Sequence, residues 1–419
     1  MGIQLTDEQN ALISKAVKWY NSSSSDQVFQ YSAPAGAGKS TVMHAIISAI
    51  GLDSITEVAP MAYTGAAAII MRINGFFGAC TIHSWLYVPM EETVVDVSTG
   101  KKKKRIKFVF KGVPKSQYKL ICIDEGSMVP KHMLPDILKS GIKVLVCGDL
   151  NQLPPVKDNP AFLYDGEIFR LSKIMRQSEG SAIVEMSQRI LKGEPLYPGN
   201  FGDVVILCKS DFEKYIKEFI SSTHIVICGT NNTRDFLNEF IRREITKKKG
   251  PLPKYGEKII CRKNNWDIEV NGINLANGLS GTVRNNPSIE NYKDGFFNMD
   301  FTPDLFPDIT FSELKCDFKF FKADNKTRQA MKDFYSGQYR GEGEKFEFGY
   351  AITTHLSQGS QYIDGVYLQE YMGGGKEFLK HLNYTGITRF RNKCYYIIPD
   401  TPVFIPIKKS VVIINGESI

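Results

Sequence analysis

Ala33-Pro34-Ala35-Gly36-Ala37-Gly38-Lys39-Ser40-Thr41 is the stretch that decides the fold class. An apolar run with strand character (Val28, Phe29, Tyr31) precedes it, and Val42, Ile46, Ala49 and Ile50 follow at helical spacing. A glycine-rich loop between strand and helix leaves backbone N–H groups free to cradle phosphates at the positive helix end. Lys39 would reach the β- and γ-phosphates, and the Ser40 hydroxyl would ligate Mg2+. Gly36, Ala37, Gly38, Lys39, Ser40 and Thr41 are the candidate nucleotide-binding residues. Ala33 stands where the usual pattern has its first glycine, which alanine can replace wherever positive φ is not needed.

Around this loop, strand-like runs at 28–32, 57–60, 120–123 and 143–147 alternate with turns and helical patterns through residues 4–170. Such alternation predicts a parallel sheet with helices on both faces. A second series begins at 225–228 with a helix whose Phe236, Leu237, Phe240 and Ile241 share a face, and resumes at 350–353, 365–368 and 394–398. Between them, 252–345 has short β-like pieces, Asn/Gly turns and many Phe and Lys residues, the texture of an inserted β-rich domain. A further insertion at 88–115 reads as a hairpin, with strands 93–97 and 105–110 around Ser98-Thr99-Gly100 and a basic run, 101–105, beside the turn. That run suits either a solvated surface or a contact with nucleic acid.

The chain has 419 residues, 42% hydrophobic and 23% charged, with ample material for about three domains. A net charge of +7 is a mild basic bias, compatible with a nucleic-acid partner. Its 8 cysteines are scattered singly without a Cys-x-x-Cys pair, which predicts buried free thiols rather than disulfides or zinc ligands. The polar N-terminus lacks a signal-peptide pattern, and no apolar run is long enough to span a bilayer. The expectation is a soluble, cytoplasmic protein with no membrane partner.

Leu120-Ile121-Cys122-Ile123-Asp124-Glu125 is an apolar strand ending in two carboxylates. Beside a phosphate loop, such a strand end suits Asp124 to Mg2+ and Glu125 to polarising the attacking water. The strand 144–147 delivers Gly148-Asp149-Leu150-Asn151-Gln152-Leu153-Pro154-Pro155, where the Gln152 amide suits either the γ-phosphate or a loop cap.

With these segments in place, the chain resembles superfamily 1 helicases of the RecD/Dda type over nearly its whole length. The motifs recur in order. Leu5-Thr6-Asp7-Glu8-Gln9 is similar to the adenine-reading glutamine motif, and the phosphate loop to motif I. Ala62-Tyr63-Thr64-Gly65-Ala66-Ala67 resembles motif Ia, with Tyr63 for the usual Pro and Ala66 for a usual basic residue. Thr81-Ile82-His83-Ser84 resembles motif Ib, Asp124-Glu125 motif II, and 148–155 motif III. Met175-Arg176-Gln177 resembles an arginine element of the family. Thr354-His355-Leu356-Ser357-Gln358-Gly359-Ser360 resembles motif V, with Leu356 where Lys is usual, and Tyr384-Thr385-Gly386-Ile387-Thr388-Arg389 motif VI.

The resemblance implies two RecA-like parallel-sheet domains, at 1–170 and at 171–251 with 346–419, an SH3-like insertion at 252–345 and a strand-separating pin at 88–115. It implies ATP and Mg2+ in the cleft, with Gln9 at the adenine and Lys39, Glu125, Gln152, Arg176 and Arg389 catalytic. Thr64, Thr81, His83 and Ser84 would touch single-stranded DNA from the first domain, and Thr354, His355 and Gln358 from the second. Trp85 offers a ring to a base, worth about 1–3 kcal/mol, or to the core. The implied activity is an ATP-dependent helicase moving 5′ to 3′ and parting forked duplex DNA. It would work as a monomer beside a single-stranded-DNA-binding protein, in the compact form of a phage- or plasmid-borne enzyme. An RNA helicase, a protein-displacing translocase, a nucleic-acid-binding module with an ATP switch, and a small-molecule kinase are the rival readings. The kinase leaves motifs V and VI unexplained.

Overall fold

The computed structural model describes residues 5–23, 26–95, 102–112, 117–155, 158–163, 166–172, 180–221, 225–287, 295–322 and 343–400, and two short strands beyond them. A first lobe is built on a six-stranded sheet in the order Cys80–Thr81, Val58–Ala62, Leu120–Asp124, Lys143–Gly148, Val28–Ser32, Ile168–Arg170. Every pairing in it is parallel. Leu120, Ile121, Cys122 and Ile123 are all buried, because helices cover both faces of a parallel sheet and leave no strand face for polar residues.

A second lobe has the order Ala351–Thr353, Val226–Cys228, Tyr362–Leu368, Phe390–Ile398, Val204–Cys208, Gly199–Asn200, parallel except for its last, antiparallel edge. Residues between Cys228 and Ala351 build a separate antiparallel sheet of five strands, ordered Phe311–Asp317, Phe296–Pro303, Ser280–Val283, Lys258–Cys261, Phe346–Phe348. Its core is aromatic: Phe297, Phe301, Phe311 and Phe346 are buried together. The α/β architecture with β-rich insertions expected from the sequence is therefore present.

Two helix faces differ from expectation. Along Lys39–Ile50 the buried stripe is Val42, Met43, Ile46 and Ile47, and Ala49 in the last turn is exposed. Along Asn231–Phe240 the buried residues are Arg234, Leu237 and Asn238, while Phe236 is 65% exposed. Arg234 is buried because Asp235 and Glu347 answer its charge, so a polar residue occupies the stripe that a purely apolar pattern gives to Phe236.

The hairpin strands begin earlier than read from sequence, at Tyr87 instead of 93 and at Lys102 instead of 105. Tyr87–Val95 pairs with Lys102–Phe110 in continuous antiparallel register, from Tyr87 opposite Phe110 to Val95 opposite Lys102. Its turn, 96–101, lies outside the described residues. Its base is anchored where the Tyr87 hydroxyl donates to Asp136 Oδ2 at 2.7 Å. All eight cysteines are free thiols. Among the described residues, no helix is long and apolar enough to cross a membrane.

Candidate nucleotide cleft and nucleic-acid face

The phosphate loop leaves the strand Val28–Ser32 and enters the helix Lys39–Ile50 through Gly38, whose φ of 81° is left-handed and favours glycine. Ala33 is absent from the positive-φ residues, which is why alanine serves in place of the usual glycine. Helix Asp7–Asn21 braces the loop. Its capping box engages Gln9, whose Oε1 accepts from Thr6 N at 2.9 Å while Nε2 donates to Ala37 O at 3.2 Å. Gln9 is buried, with both ends of its amide spent on the protein.

Lys39 Nζ lies 3.5 Å from Ala33 O. Burial works against its charge, but Glu125, Asp149 and Asp124 outweigh burial and raise its pKa, so the ammonium is kept. Asp124 Oδ1 accepts from Glu125 N at 2.8 Å and from the Cys147 thiol at 3.1 Å. Burial and the neighbouring Glu125 push the Asp124 carboxyl up. Glu125 has φ of 51°, a strained value for a residue with a β-carbon, and its Oε2 is enclosed without a hydrogen-bond partner. Gln152 is 2% exposed, and neither its Oε1 nor its Nε2 has a partner. Enclosed polar atoms without partners are uncommon; those of Glu125 and Gln152 follow the ends of strands Leu120–Asp124 and Lys143–Gly148, and others lie in and near the inserted sheet at Arg262, Asn277 and Glu344.

The second lobe supplies Arg389, 3% exposed, directly after the helix Gly375–Ile387. Its guanidinium donates to Thr385 O at 3.1 Å and Ser360 O at 3.3 Å. Arg176 lies outside the described residues. A cavity of about 210 Å³ separates Ala35 and Gly36 of the loop from Ile183, Tyr384, Phe390 and Arg391 of the second lobe. A larger one, about 920 Å³, lies between Asn231–Phe240 and the inserted sheet. The arginines on its wall are answered by carboxylates: Arg234 by Glu347, Arg242 by Glu257 and Arg243 by Glu239. Lys248 and Lys249 also line it.

Four hydrogen bonds tie loop 149–153 to the second lobe. Tyr384 OH donates to Asp149 Oδ2 at 2.7 Å, and Leu153 N donates to Thr385 Oγ1 at 3.0 Å. Gln358 Nε2 donates to Leu153 O at 2.9 Å, and His381 Nδ1 is 2.8 Å from Asn151 O. Sequence reasoning missed Asp149, Tyr384, Thr385 and His381 as partners. No local signal joins them, since each pair is separated by more than two hundred residues.

The residues expected at nucleic acid divide into two groups. Thr64 caps helix Gly65–Ile73, accepting from Ala67 N, and Thr81 caps Ile82–Leu86, accepting from Ser84 N. His83 is exposed among the rings of Tyr63, Tyr87 and Phe108, with centroids 5.6–6.3 Å away. Desolvation by these neighbours and the nearby His132 lower its pKa. Trp85 is half-buried, its ring edge-on to Tyr118 at 6.1 Å. In the second lobe, His355 is half-buried beside Phe378, and burial lowers its pKa. Thr354 is fully buried, its hydroxyl donating to Cys228 O at 3.1 Å. Gln358 is 4% exposed, with its Nε2 donating to Leu153 O.

Comparison with known proteins is consistent with this geometry. Residues 4–199 match the family described as AAA domain. The chain is 32% identical over 173 residues to the ATP-dependent DNA helicase PIF1 of Candida albicans, covering 38% of this chain and 18% of that protein. It is 26% identical over 216 residues to PIF1 of Saccharomyces cerevisiae, covering 46% of this chain and 23% of that one. The chain thus spans about a fifth of the length of these relatives. Among solved structures, a Pif1 helicase from Bacteroides in complex with ADP-AlF3 and ssDNA superimposes with a TM-score of 0.57 at 19% identity. That match covers 96% of this chain and 93% of that one. Pif1 from Candida albicans gives 0.50 at 18% identity, covering 94% and 95%. At these identities the structural likeness establishes the fold.

Proposed function

We propose that this chain, whose fold is that of superfamily 1 helicases of the Pif1/RecD-like type, is an ATP-dependent DNA helicase. In this reading it moves 5′ to 3′ along a single strand and parts the duplex ahead of it. One observation carries the proposal: a cavity has Ala35 and Gly36 of the phosphate loop on one wall and Tyr384, Thr388, Phe390 and Arg391 of the second lobe on the other, and loop 149–153 is hydrogen-bonded across to Tyr384 and Thr385. That is the arrangement of a motor whose nucleotide sits between two moving bodies. The ordered motifs and the DNA helicases among its relatives support DNA as the track.

The residues fit a Mg2+–nucleotide. The enclosed, unpartnered atoms of Glu125 and Gln152 are suited to a ligand, and Gly36 to Thr41 form the phosphate cradle. Ser40 and Asp124 would hold the metal, which when bound neutralises phosphate charge. Lys39 neutralises the β- and γ-phosphates, and Glu125 takes the proton of the attacking water. Gln152 hydrogen-bonds that water or the γ-phosphate. Arg389 brings positive charge from the second lobe, an effect worth on the order of 10³-fold in rate, and Arg176 is assigned the same role by resemblance. Gln9 buttresses the loop from which the adenine would be read.

Thr64, Thr81, His83 and Ser84 form the nucleic-acid face of the first lobe in this reading, with His355 opposite. The domain limits that go with it are 1–170, 171–251 with 346–419, and 252–345. The working unit is one chain, since both cleft walls lie in one polypeptide, and a single-stranded-DNA-binding protein is its expected companion on exposed strands. A requirement for two chains would appear as a sigmoidal dependence of unwinding on protein concentration.

The test uses forked duplexes carrying a 5′ or a 3′ single-stranded tail. Unwinding is expected only with the 5′ tail, and Glu125→Gln should retain ATP and strand binding while turnover falls about 10²-fold or more. Unwinding from the 3′ tail alone would overturn the polarity. ATPase activity indifferent to nucleic acid would favour the kinase reading.

A further inference from the structure

We propose that Tyr384 is a positioning residue of the ATP site, acting through Asp149 to set Arg389 against loop 149–153. The inference rests on the nucleotide-cleft reading above. Tyr384 and Asp149 come from different lobes, yet both are buried, at 1% and 0% exposure. A carboxylate enclosed in this way needs fixed donors. Asp149 has two: Tyr384 OH on Oδ2 at 2.7 Å and Asn151 N on Oδ1 at 3.0 Å. The first comes from the opposite lobe, so the carboxylate is fully served only while the lobes are together.

The bond also sits at a junction. Asp149 begins the loop that carries Gln152, and its charge is among those that hold the Lys39 ammonium. Tyr384 lies on the helix Gly375–Ile387, two residues after which comes Arg389. The next residue, Thr385, accepts from Leu153 N, and its carbonyl accepts from Arg389 Nε. One short run of chain therefore grips the Gln152 loop with two side chains and aims the arginine with a carbonyl. When the lobes separate, Tyr384 leaves Asp149, and the helix that orients Arg389 moves off with it.

Tyr384→Phe tests this in the full-length chain, because it deletes the hydroxyl and keeps the buried ring. In steady-state ATPase assays saturated with single-stranded DNA, kcat should fall about tenfold or more while KM for ATP stays within about twofold. The thermal midpoint is measured alongside. Asp149→Asn should act in the same direction, and the double variant should be no slower than the slower single variant, because both disrupt one bond. A kcat in Tyr384→Phe close to the parental value would overturn the inference. So would multiplying effects in the double variant, or a loss of kcat explained by a lower thermal midpoint. Parental protein without strand-stimulated ATPase would overturn the cleft reading itself, and the inference with it.

Discussion

Gln152 is an enclosed side chain whose amide oxygen and nitrogen both lack a hydrogen-bond partner. Leaving a buried amide unpaired costs roughly 1–3 kcal/mol, and the fold accepts that cost beside its phosphate loop. Gln152→Leu should therefore hold or raise the thermal midpoint while lowering strand-stimulated ATPase by about tenfold or more. Calorimetry and a coupled ATPase assay read the two effects separately, and a fall in both would make Gln152 a structural amide. That Lys39, Asp124 and Glu125 come together was legible in the sequence, because each sits in a short motif that follows its own strand. Thr354 and Gln358 were not, because their acceptors, Cys228 O and Leu153 O, are brought to them by the fold across more than a hundred residues. A hydroxyl or amide in a motif announces a hydrogen bond, and the partner is decided by tertiary structure.

Among the elements, the hairpin Tyr87–Val95 with Lys102–Phe110 tests how a strand pair projecting from the first lobe is used. Its base is tied by Tyr87 to Asp136. Hydrogen bonds from Lys139 first, and from Tyr87, hold the Asp136 carboxyl below the ordinary value. A depressed carboxylate stabilises the fold above its unfolded pKa, near about 3.9, and the contribution is lost as pH falls through the folded value. Asp136→Asn should therefore be less stable than the parent at pH 7, with the gap closing on acidification below about pH 4. Urea unfolding at the two pH values measures this, and a gap independent of pH would assign the effect to packing. Deleting residues 95–106 and closing with a short Gly/Ser turn should leave strand-stimulated ATPase intact and sharply reduce unwinding of a forked duplex. Unwinding at the parental rate would make the hairpin a bystander. The hairpin was recognisable from its alternation, but the length of its strands was underestimated because pairing continues down to Tyr87, where tertiary anchoring replaces the local pattern.

For the whole molecule, the two parallel sheets and the β-rich insertion followed from periodicity, since buried strands read as apolar runs. The contacts between lobes did not follow, because they are made by polar groups with no period. The proposed function gives these contacts the task of coupling the lobes. Arg389→Ala should leave ATP affinity within several-fold and raise the hydrolysis barrier by about 3 kcal/mol or more. Equilibrium nucleotide binding and single-turnover hydrolysis separate the two quantities. Equal losses in binding and rate would mean that Arg389 only closes the cleft.

The inserted sheet is joined to the first lobe as well as to the second. Ile69, on helix Gly65–Ile73 of the first lobe, is fully buried within the insertion's aromatic core. Three positions further along that helix, Arg72 donates to Asn274 Oδ1 at 2.7 Å and lies 5.7 Å over the Trp266 ring. A core completed by a residue borrowed from a distant part of the chain cannot be transplanted by cutting at its own ends. Moved into another protein, residues 252–345 would carry a vacancy the size of an isoleucine side chain and a Trp266 ring stripped of its cation. Modular in sequence, the insertion is not autonomous in substance, and exchanging it between related chains would require exchanging the Ile69 helix face with it.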